Sequence, residues 1–411
     1  MEQLYIKDFL VIKEAKFDVG NLNIIIGPQA NGKSIIAKLL CLFREVNSEI
    51  FLISVKNNDS KKEFITNIEE LFEKYFPKYT WKDKGFNIKY TYDNIIINIS
   101  KTNSQRKVQV DIGDTLSQLH RSLKSKYKSY LKKEEDRMID EFWDFKQKHI
   151  FDNSEISKYF NDSLFIPASR SFFANLQKNI FSFLSKNIDI DPFMSKFGSK
   201  YEIAKKIYSD SIFYKHRLEN DSEYNKTKEI VEKILNGKYK YKDDQDWIET
   251  KGESINLSNA SSGQQESLPM LLILSIFPFI NSDNKKNIYF IEEPEAHLFP
   301  ISQKHIVSLI ALIYNKGQNI VTTTHSPYIL TALNNLILAN DVKNEKGEKS
   351  IEKIIDKDLC IDFDDVKAYT IKNGKLVSIM DKESRLIGIN IIDSVSDEFN
   401  NTFDELLSLQ V

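Results

Sequence analysis

Several residue types are scarce in this chain of 411 residues, and their scarcity limits the kinds of protein that it can be. Only Cys41 and Cys360 are present, far apart in sequence, so we expect neither a disulfide framework nor a zinc site. Glycine and proline number 13 and 9, and no low-complexity linker or internal repeat divides the chain. The net charge of −2 gives no bulk electrostatic attraction to DNA or to an anionic membrane.

Long apolar runs and an N-terminal signal are also missing. The longest apolar run, 268–280, is too short to span a bilayer and predicts a buried helix. The first residues show no basic segment followed by an apolar stretch, so no secretory signal is expected. We therefore expect a soluble, cytoplasmic protein without a membrane partner.

The most informative motif present is the phosphate-binding loop pattern GxxxxGK[ST], which spans 27–34. A β-branched run precedes it and a helical pattern follows, an arrangement that points backbone N–H groups and a helix N-terminus at a phosphate. Lys33 is expected to reach the β- and γ-phosphates and Ser34 to ligate Mg²⁺, so the motif predicts binding of ATP or GTP. The residues expected to contact the nucleotide are Gly27, Pro28, Asn31, Gly32, Lys33 and Ser34.

Two carboxylates end a second apolar run, 287–291. Acids at a strand end opposite a phosphate loop hold the metal and orient and deprotonate the attacking water. We assign Glu292 to the metal and Glu293 to the water. The alternative is two acids that merely end a strand at the surface.

A third β-branched run ends at His325. A lone histidine is usually a structural residue. This one follows a core strand about one α/β unit after the acidic pair, which favours a contact with the γ-phosphate or the attacking water.

A segment rich in small and hydroxyl-bearing residues, 260–266, precedes the apolar helix. Such residues at a helix start can bind a second anion, and Ser261, Gly263 and Gln264 are the candidates. An ordinary helix cap explains the same residues, and taken alone the segment leaves both interpretations open.

The order and spacing of these motifs resemble those of ABC-type ATPases, in particular the soluble branch that includes SMC proteins, RecF and the OLD ATPases. The tract 291–300, IEEPEAHLFP, is similar to the extended acidic motif of that branch, and Ile6-Lys7-Asp8-Phe9 also fits it. Two departures stand out. Ala260 and Ser262 replace the Leu and first Gly of the usual signature, and Glu292 replaces the usual Asp.

The resemblance implies an α/β fold of the ABC-type P-loop NTPase class, with a mixed sheet core and a large, mostly helical insertion. The two parts of the ATPase domain are expected at 1–55 and 251–411. Between them we expect an inserted helical and β arm at 56–160, then a strand with a helical insertion at 161–250.

The resemblance also implies a mechanism. ATP on the phosphate loop of one protomer would be closed over by Ser261 and Gly263 of another, in a homodimer or higher homo-oligomer, and hydrolysis through Glu293 would release the assembly. Arg170, which follows a short strand, is similar in position to an arginine of OLD-like ATPases that reaches phosphate. A surface salt bridge is the alternative for Arg170.

Stand-alone ATPases of this branch with such tracts are similar to subunits of bacterial anti-phage systems, for example the ATPase subunits of PARIS and Septu, each encoded beside an effector nuclease. The leading hypothesis is therefore an ATPase that senses or scaffolds and controls a separate effector. No intrinsic nuclease is expected, because Asp362-x-Asp364 lacks a strand-end Glu partner: Glu345 lies in a polar loop. A RecF-like DNA maintenance ATPase is the alternative, since the basic stretch 121–133 leaves a nucleic-acid partner open; a solvated helix explains the same stretch.

Overall fold

The computed structural model describes residues 1–132, 141–175, 190–210, 218, 221–280, 286–388 and 400–409. Its strands are β1 Glu2–Phe9, β2 Ile12–Val19, β3 Leu22–Ile26, β4 Phe86–Tyr92, β5 Ile95–Lys101, β6 Gln109–Ile112, β7 Ser163–Ile166, β8 Lys238–Lys242, β9 Gln245–Thr250, β10 Glu253–Asn256, β11 Ile288–Glu292, β12 Asn319–Thr324, β13 Val366–Lys372, β14 Lys375–Ser378, β15 Met380–Asp381 and β16 Leu386–Ile387.

The α-helices are α1 Lys33–Glu45, α2 Phe51–Asn57, α3 Lys61–Tyr75, α4 Asp114–Leu131, α5 Glu141–Lys146, α6 Ser154–Ser157, α7 Pro192–Asp210, α8 Ser222–Leu235, α9 Ser262–Ile280, α10 Pro300–Asn315, α11 Pro327–Lys346 and α12 400–408. A helical turn also lies at 171–175. None of the described helices is long and apolar enough to cross a membrane.

An 11-stranded mixed sheet organises the fold, in the order β6-β5-β4-β1-β2-β14-β13-β3-β12-β11-β7. The five strands from β13 to β7 run parallel to one another, whereas β1, β2, β4, β5 and β6 form antiparallel pairs. The expected α/β class with a mixed sheet core is confirmed.

Strand β3 explains why the parallel part of the sheet has continuous apolar sequence. All five of its residues are buried. Ile25 packs into the core that contains α1 and α3, whereas Ile24 and Ile26 pack into the core that contains α9, α10 and α11. Because helices cover both faces of this strand, neither face contacts water, and its sequence does not alternate between apolar and polar residues.

The segment 56–160 extends the central sheet. Strand β4 pairs antiparallel with β1 along most of its length, and β5 and β6 continue outward from β4. The strands of the expected arm are continuous with the sheet, because the alternating apolar residues of β4 and β5 cover the same core as β1. The domain boundaries themselves stay a prediction.

In the second inserted segment, 161–250, strands occur where mainly helix was expected. Helices α7 and α8 are present, but β8, β9 and β10 form a separate three-stranded antiparallel sheet. The reason is local: the alternation in Lys238-Tyr239-Lys240-Tyr241-Lys242 turns Tyr239 into the core and leaves the lysines outside.

A buried ion pair ties α1 to the antiparallel half of the sheet. Arg44 on α1 donates from Nε to Oε1 of Glu2 on β1 at 2.7 Å, and from Nη2 to Oε2. The Tyr90 hydroxyl on β4 donates to the same carboxylate at 2.7 Å. Arg44 and Glu2 are 2% and 6% exposed, so solvent does little to screen their attraction.

Arg44→Met is expected to lower the free energy of unfolding by about 3–5 kcal/mol, since it leaves the Glu2 carboxylate buried without its cation. Urea unfolding measures the change. The matched control is Lys78→Met, which breaks the exposed Lys78–Glu73 pair and is expected to cost at most about 1 kcal/mol. A loss for Arg44→Met no larger than for the control would show that the buried pair contributes no more than a surface pair.

Candidate active site

Three parallel strands bring the predicted site residues to one edge of the sheet. The carboxyl ends of β3, β12 and β11 are neighbours, and they lead into the phosphate loop, His325 and Glu293. Backbone hydrogen bonds fix this edge: Gly27 N–H donates to Thr324 O at 3.3 Å, and Glu293 N–H donates to Thr323 O at 2.9 Å. Such an edge is the usual place for ligands in open α/β sheets.

The phosphate-loop motif forms the predicted turn between β3 and α1. Gly32, which immediately precedes α1, has a φ of 94°, and a Cβ there would lie 3.0 Å from the side chains of Val11 and Ile12. Both constraints require glycine at this position. A cavity of about 250 Å³ lies over the loop, lined by Val11, 29–35, Glu293 and His325.

Lys33 folds back onto its own loop. Its Nζ donates to the carbonyl oxygens of Gly27 at 2.7 Å and Pro28 at 2.8 Å. Burial lowers the pKa of Lys33, and this outweighs the opposing attraction of Glu293 and Glu295. An anionic group bound in the cavity would therefore stabilise the charged form of this lysine.

His325 lies between Lys33 and Glu293. Its Nδ1 is 3.2 Å from Lys33 Nζ, and its Nε2 is 2.8 Å from Glu293 Oε1. A lysine ammonium can only donate and a carboxylate only accepts, so the imidazole satisfies both contacts when Nε2 carries the proton. The structure thus joins the three residues in one chain of polar contacts beside the cavity.

Glu292 and Glu295 present oxygens that are not fully satisfied. Glu292 Oε2 accepts from Ala168 N–H at 3.2 Å, and Glu295 Oε1 accepts from Thr324 Oγ1 at 2.6 Å and from His325 N–H at 2.7 Å. The other oxygen of each carboxylate is buried and has no hydrogen-bond partner in the described part of the chain. Such oxygens suit a hard cation, and the predicted ligands Glu292 and Ser34 fit Mg²⁺ in chemistry.

Glu293 has a backbone conformation that is unfavourable for its residue type. Its φ is 43°, in the left-handed region that non-glycine residues rarely occupy. The sharp turn this creates directs its side chain toward His325. Strained backbone of this kind is concentrated at functional sites.

Arg170 forms hydrogen bonds with the backbone of this turn. It is fully buried and donates to the carbonyl oxygens of Glu292 at 2.7 Å and Glu293 at 3.0 Å. Its remaining donors reach Pro167 O at 2.9 Å and Glu266 O at 3.0 Å. The Glu266 carboxylate accepts from the N–H groups of Arg170 and Ser171 at 2.8 and 2.9 Å.

The geometry excludes one of the two expectations for Arg170. A surface salt bridge is wrong because the side chain is 0% exposed. A phosphate contact stays a prediction, and in this conformation the guanidinium bonds to four carbonyl oxygens of the chain. Arg170 supports the backbone that carries Glu292 and Glu293.

The segment before α9 forms a helix cap. Ser261 Oγ accepts from Gln264 N–H at 3.3 Å, and Gln264 Oε1 accepts from Ser261 N–H at 3.1 Å. This reciprocal pair is a capping box. A Cβ on Gly263 would lie 2.8 Å from His297 O, so glycine lets the start of α9 approach the loop after β11. The expected helix cap is therefore present, Ser261 is exposed at the surface, and its contact with an anion stays a prediction.

The sequence motifs assign no role to Glu266 and Glu295. Each lies two residues beyond a residue that was given a function, Gln264 in one tract and Glu293 in the other. Glutamate is rarely buried unless it is paired, so its place at the start of a long apolar helix could have indicated that Glu266 has a buried partner. The contact of Glu295 with the backbone of His325 depends on the pairing of β11 with β12, which no local pattern reveals.

The Arg170–Glu266 pair predicts a pH dependence of stability. Burial alone would raise the pKa of Glu266, but Arg170 and the N–H groups of Arg170 and Ser171 hold it below its ordinary value. The pair therefore stabilises the fold fully above the unfolded pKa of about 4.3, and this contribution is lost as the pH falls through the lower folded value.

Glu266→Gln is expected to cost about 3–5 kcal/mol at pH 7, because Arg170 loses its buried anion. The difference from the wild type should shrink as the pH falls below about 4. Urea unfolding at pH 7, 4 and 3 measures this, with Glu345→Gln, at an exposed glutamate, as control. A difference that is constant with pH would disprove the assignment.

Comparison with known proteins agrees with this arrangement. The AAA ATPase domain family matches residues 1–330. No curated protein matches the chain.

Solved structures give distant matches. The SMC head domain from Thermotoga maritima is 11% identical, with a TM-score of 0.37, over 92% of this chain and 97% of that one. An Smc head domain from Pyrococcus furiosus, with an extended coiled coil and bound to the C-terminal domain of ScpA, is 11% identical, with a TM-score of 0.38, over 97% and 100%. The recombination mediator RecF is 11% identical, with a TM-score of 0.34, over 92% and 97%.

The family match spans 330 of the 411 residues and includes the phosphate loop, the acidic pair and the histidine at one sheet edge. The protein belongs to the AAA ATPase domain family and is an ATP-binding ATPase.

Proposed function

We propose that this ATPase forms nucleotide-sandwich dimers and that the cycle of closure and release controls a separate effector, a nuclease of an anti-phage defence complex. The main observation in support of the dimer is that the predicted second anion-binding segment does not line the phosphate-loop cavity of the same chain. Its lining includes residues 29–35, Glu293 and His325 but none of the segment 260–266. Ser261 and Ser262 are instead exposed at the start of α9, where a second copy can bring them to a bound nucleotide.

Exposed apolar side chains at the same sheet edge support this interface. Phe299 and Ile301 lie at the start of α10 and are 75% and 56% exposed, and Tyr328 at the start of α11 is 55% exposed. Ser326 and Gln303 bond at 2.5 Å and hold the two helix starts together. Large apolar residues clustered on a surface are typical of protein interfaces.

The chain of contacts at the cavity assigns the roles. In the proposed hydrolysis, Glu293 takes a proton from water as the water oxygen attacks the γ-phosphorus and the bond to the ADP oxygen breaks. His325 donates from Nε2 and orients Glu293, a geometry already present at 2.8 Å. Lys33 neutralises charge that develops on the phosphates.

Mg²⁺ would be held by Ser34 and Glu292 and would supply further neutralisation of phosphate charge. The described residues include no group of three or more His, Cys, Asp or Glu able to hold a metal by themselves. A cation with so few protein ligands is bound mainly by water and substrate phosphates, which is usual for Mg²⁺ in ATPases.

Arg170 and Glu266 provide a route from the dimer interface to Glu293. Helix α9 begins beside Ser261 and carries Glu266 one turn later. Glu266 binds Arg170, and Arg170 binds the carbonyl oxygens of Glu292 and Glu293. A shift of α9 when a second copy closes over ATP would therefore move the turn that carries Glu293.

Glu293→Gln is expected to trap the ATP-bound dimer and to lower kcat by about 10²–10⁴-fold, because the amide cannot accept the proton of the attacking water. Light scattering with ATP and Mg²⁺ measures the mass, and phosphate release measures turnover. Glu49→Gln, at an exposed glutamate away from the cavity, is the control. A Glu293→Gln chain that stays monomeric with saturating ATP would sink the sandwich proposal.

The effector part of the proposal is supported by the surroundings of the Asp362-x-Asp364 pair. Arg385 lies 3.8 Å from Asp362 and 3.5 Å from Asp364, and it also binds Asp341 at 3.0 Å. The guanidinium of Arg385 already pairs with these carboxylates and would compete with the metal of a nuclease for them. Cleavage is therefore assigned to another chain.

Co-expression with the product of a neighbouring gene is expected to yield a complex in which nuclease activity appears only after a trigger. The Glu293→Gln chain should bind this product with unchanged affinity but alter its activation. Mixing each purified chain with labelled DNA measures cleavage. Failure of the two products to associate, or DNA cleavage by the ATPase alone, would overturn this assignment.

The alternative, a RecF-like ATPase that binds DNA directly, is favoured by one observation. Arg121, Lys126 and Lys128 on α4 face solvent, while Leu123 and Tyr127 on the opposite side are buried. Direct DNA binding would be ATP-dependent and would weaken steeply with salt. Lys126→Glu with Lys128→Glu would then reduce DNA affinity without changing ATP hydrolysis in the absence of DNA.

A further inference from the structure

An apolar groove lies away from the ATP cavity. It has a volume of about 620 Å³ and runs between α8, α10 and α11 and the segment 350–359. Its floor is apolar and includes Val307, Leu312 and Leu336. Two residues of its lining, Leu338 and Ile354, are 53% and 79% exposed, so solvent reaches large apolar surface here.

Charged residues of both signs line the groove. Lys226 is paired with Asp356 at 2.8 Å and also with Asp358. Of the other charged lining residues, Lys233 and Lys304 outnumber Glu229, and neither lysine has an ion-pair partner within the described residues. Burial lowers the pKa of His305, and the charges of both lysines lower it further.

Helix α12 has the complementary character. Its residues 400–408 contain Asp404 and Glu405 and no basic residue. Phe403, Leu406 and Leu407 are spaced at i, i+3 and i+4, so they share one face, and they are 65%, 61% and 51% exposed. An apolar helical face that is open to solvent fits the helix-in-groove mode of recognition.

We propose that α12 of a second copy of this chain binds in the groove, with Phe403, Leu406 and Leu407 against its apolar floor and Asp404 and Glu405 near Lys233 and Lys304. A nine-residue helix is about 13 Å long, which suits a groove between three helices. The occupant is a second copy because the apolar face of α12 lies exposed in its own chain.

Reciprocal exchange makes this contact a closed dimer. Groove and helix are different surfaces of one molecule, so a single contact is heterologous, whereas two copies that each donate α12 close about a twofold axis. Helix α12 follows Ile387, which pairs with Asn334 on α11, the helix that forms one wall of the groove. This association needs no nucleotide and is independent of the ATP-sandwich interface.

The first test is the mass of the full chain without nucleotide, measured by light scattering across a concentration series. A dimer is expected, and Leu406→Asp or Ile354→Asp should weaken it by at least about tenfold, as for loss of a central apolar anchor. Both side chains are exposed, so the fold should survive. Tyr79→Asp, at a residue 78% exposed far from the groove, is the control.

The second test identifies the occupant. Leu406→Asp retains an intact groove, and Ile354→Asp retains an intact helix, so mixing the two variants should restore one contact per pair and produce heterodimers. Lys304→Glu should weaken the dimer, and Lys304→Glu combined with Glu405→Lys should restore it.

Three outcomes would overturn the proposal: a wild-type chain that is monomeric without nucleotide, a dimer that Leu406→Asp leaves unchanged, or variants that fail to complement on mixing. If the variants fail to complement and the wild-type chain is a compact monomer, α12 binds the groove of its own chain. Failure of the ATP-sandwich proposal is separate, because that requires ATP and is probed by Glu293→Gln.

Discussion

The buried guanidinium of Arg170 is the interaction on which the active site depends. A fully buried cation is costly unless its donors are satisfied, and here they bond to four carbonyl oxygens and lie near one carboxylate. Two of those carbonyls belong to Glu292 and Glu293, whose backbone would otherwise turn without support. The charge of Glu266 on α9 makes the burial of Arg170 tolerable, so a helix and a strand end are held by one ion pair.

The central sheet explains why residues far apart in sequence act together. The phosphate loop follows β3, the acidic turn follows β11 and His325 follows β12, and these strands are neighbours. Parallel pairing brings their carboxyl ends to one edge, where backbone bonds set their relative height. The contact between Lys33 and His325 across this edge follows from the strand order.

Much of this arrangement could be predicted from the sequence, because its motifs are local. The turn at Gly32, the strand ending at Glu292 and the helix start at Ser261 each depend on a few adjacent residues. Arg170 could not be placed in this way. Its role depends on backbone carbonyl groups 122 and 123 residues away. Every residue has such a group, so the sequence does not show which of them accept a hydrogen bond from Arg170. The presence of β structure in 56–160 is likewise expected from the sequence, but the pairing of β4 with β1 is a long-range contact that no local pattern reveals.

The left-handed backbone of Glu293 has a further consequence. Residues held in this region cost about 1–3 kcal/mol, and glycine would relieve most of that cost. Glycine at this position would relieve the backbone strain, but it would also remove the carboxylate that contacts His325. Selection of this chain for thermal stability alone would favour glycine here and remove the proposed general base, a trade-off that a protein with a relaxed acidic turn would not face.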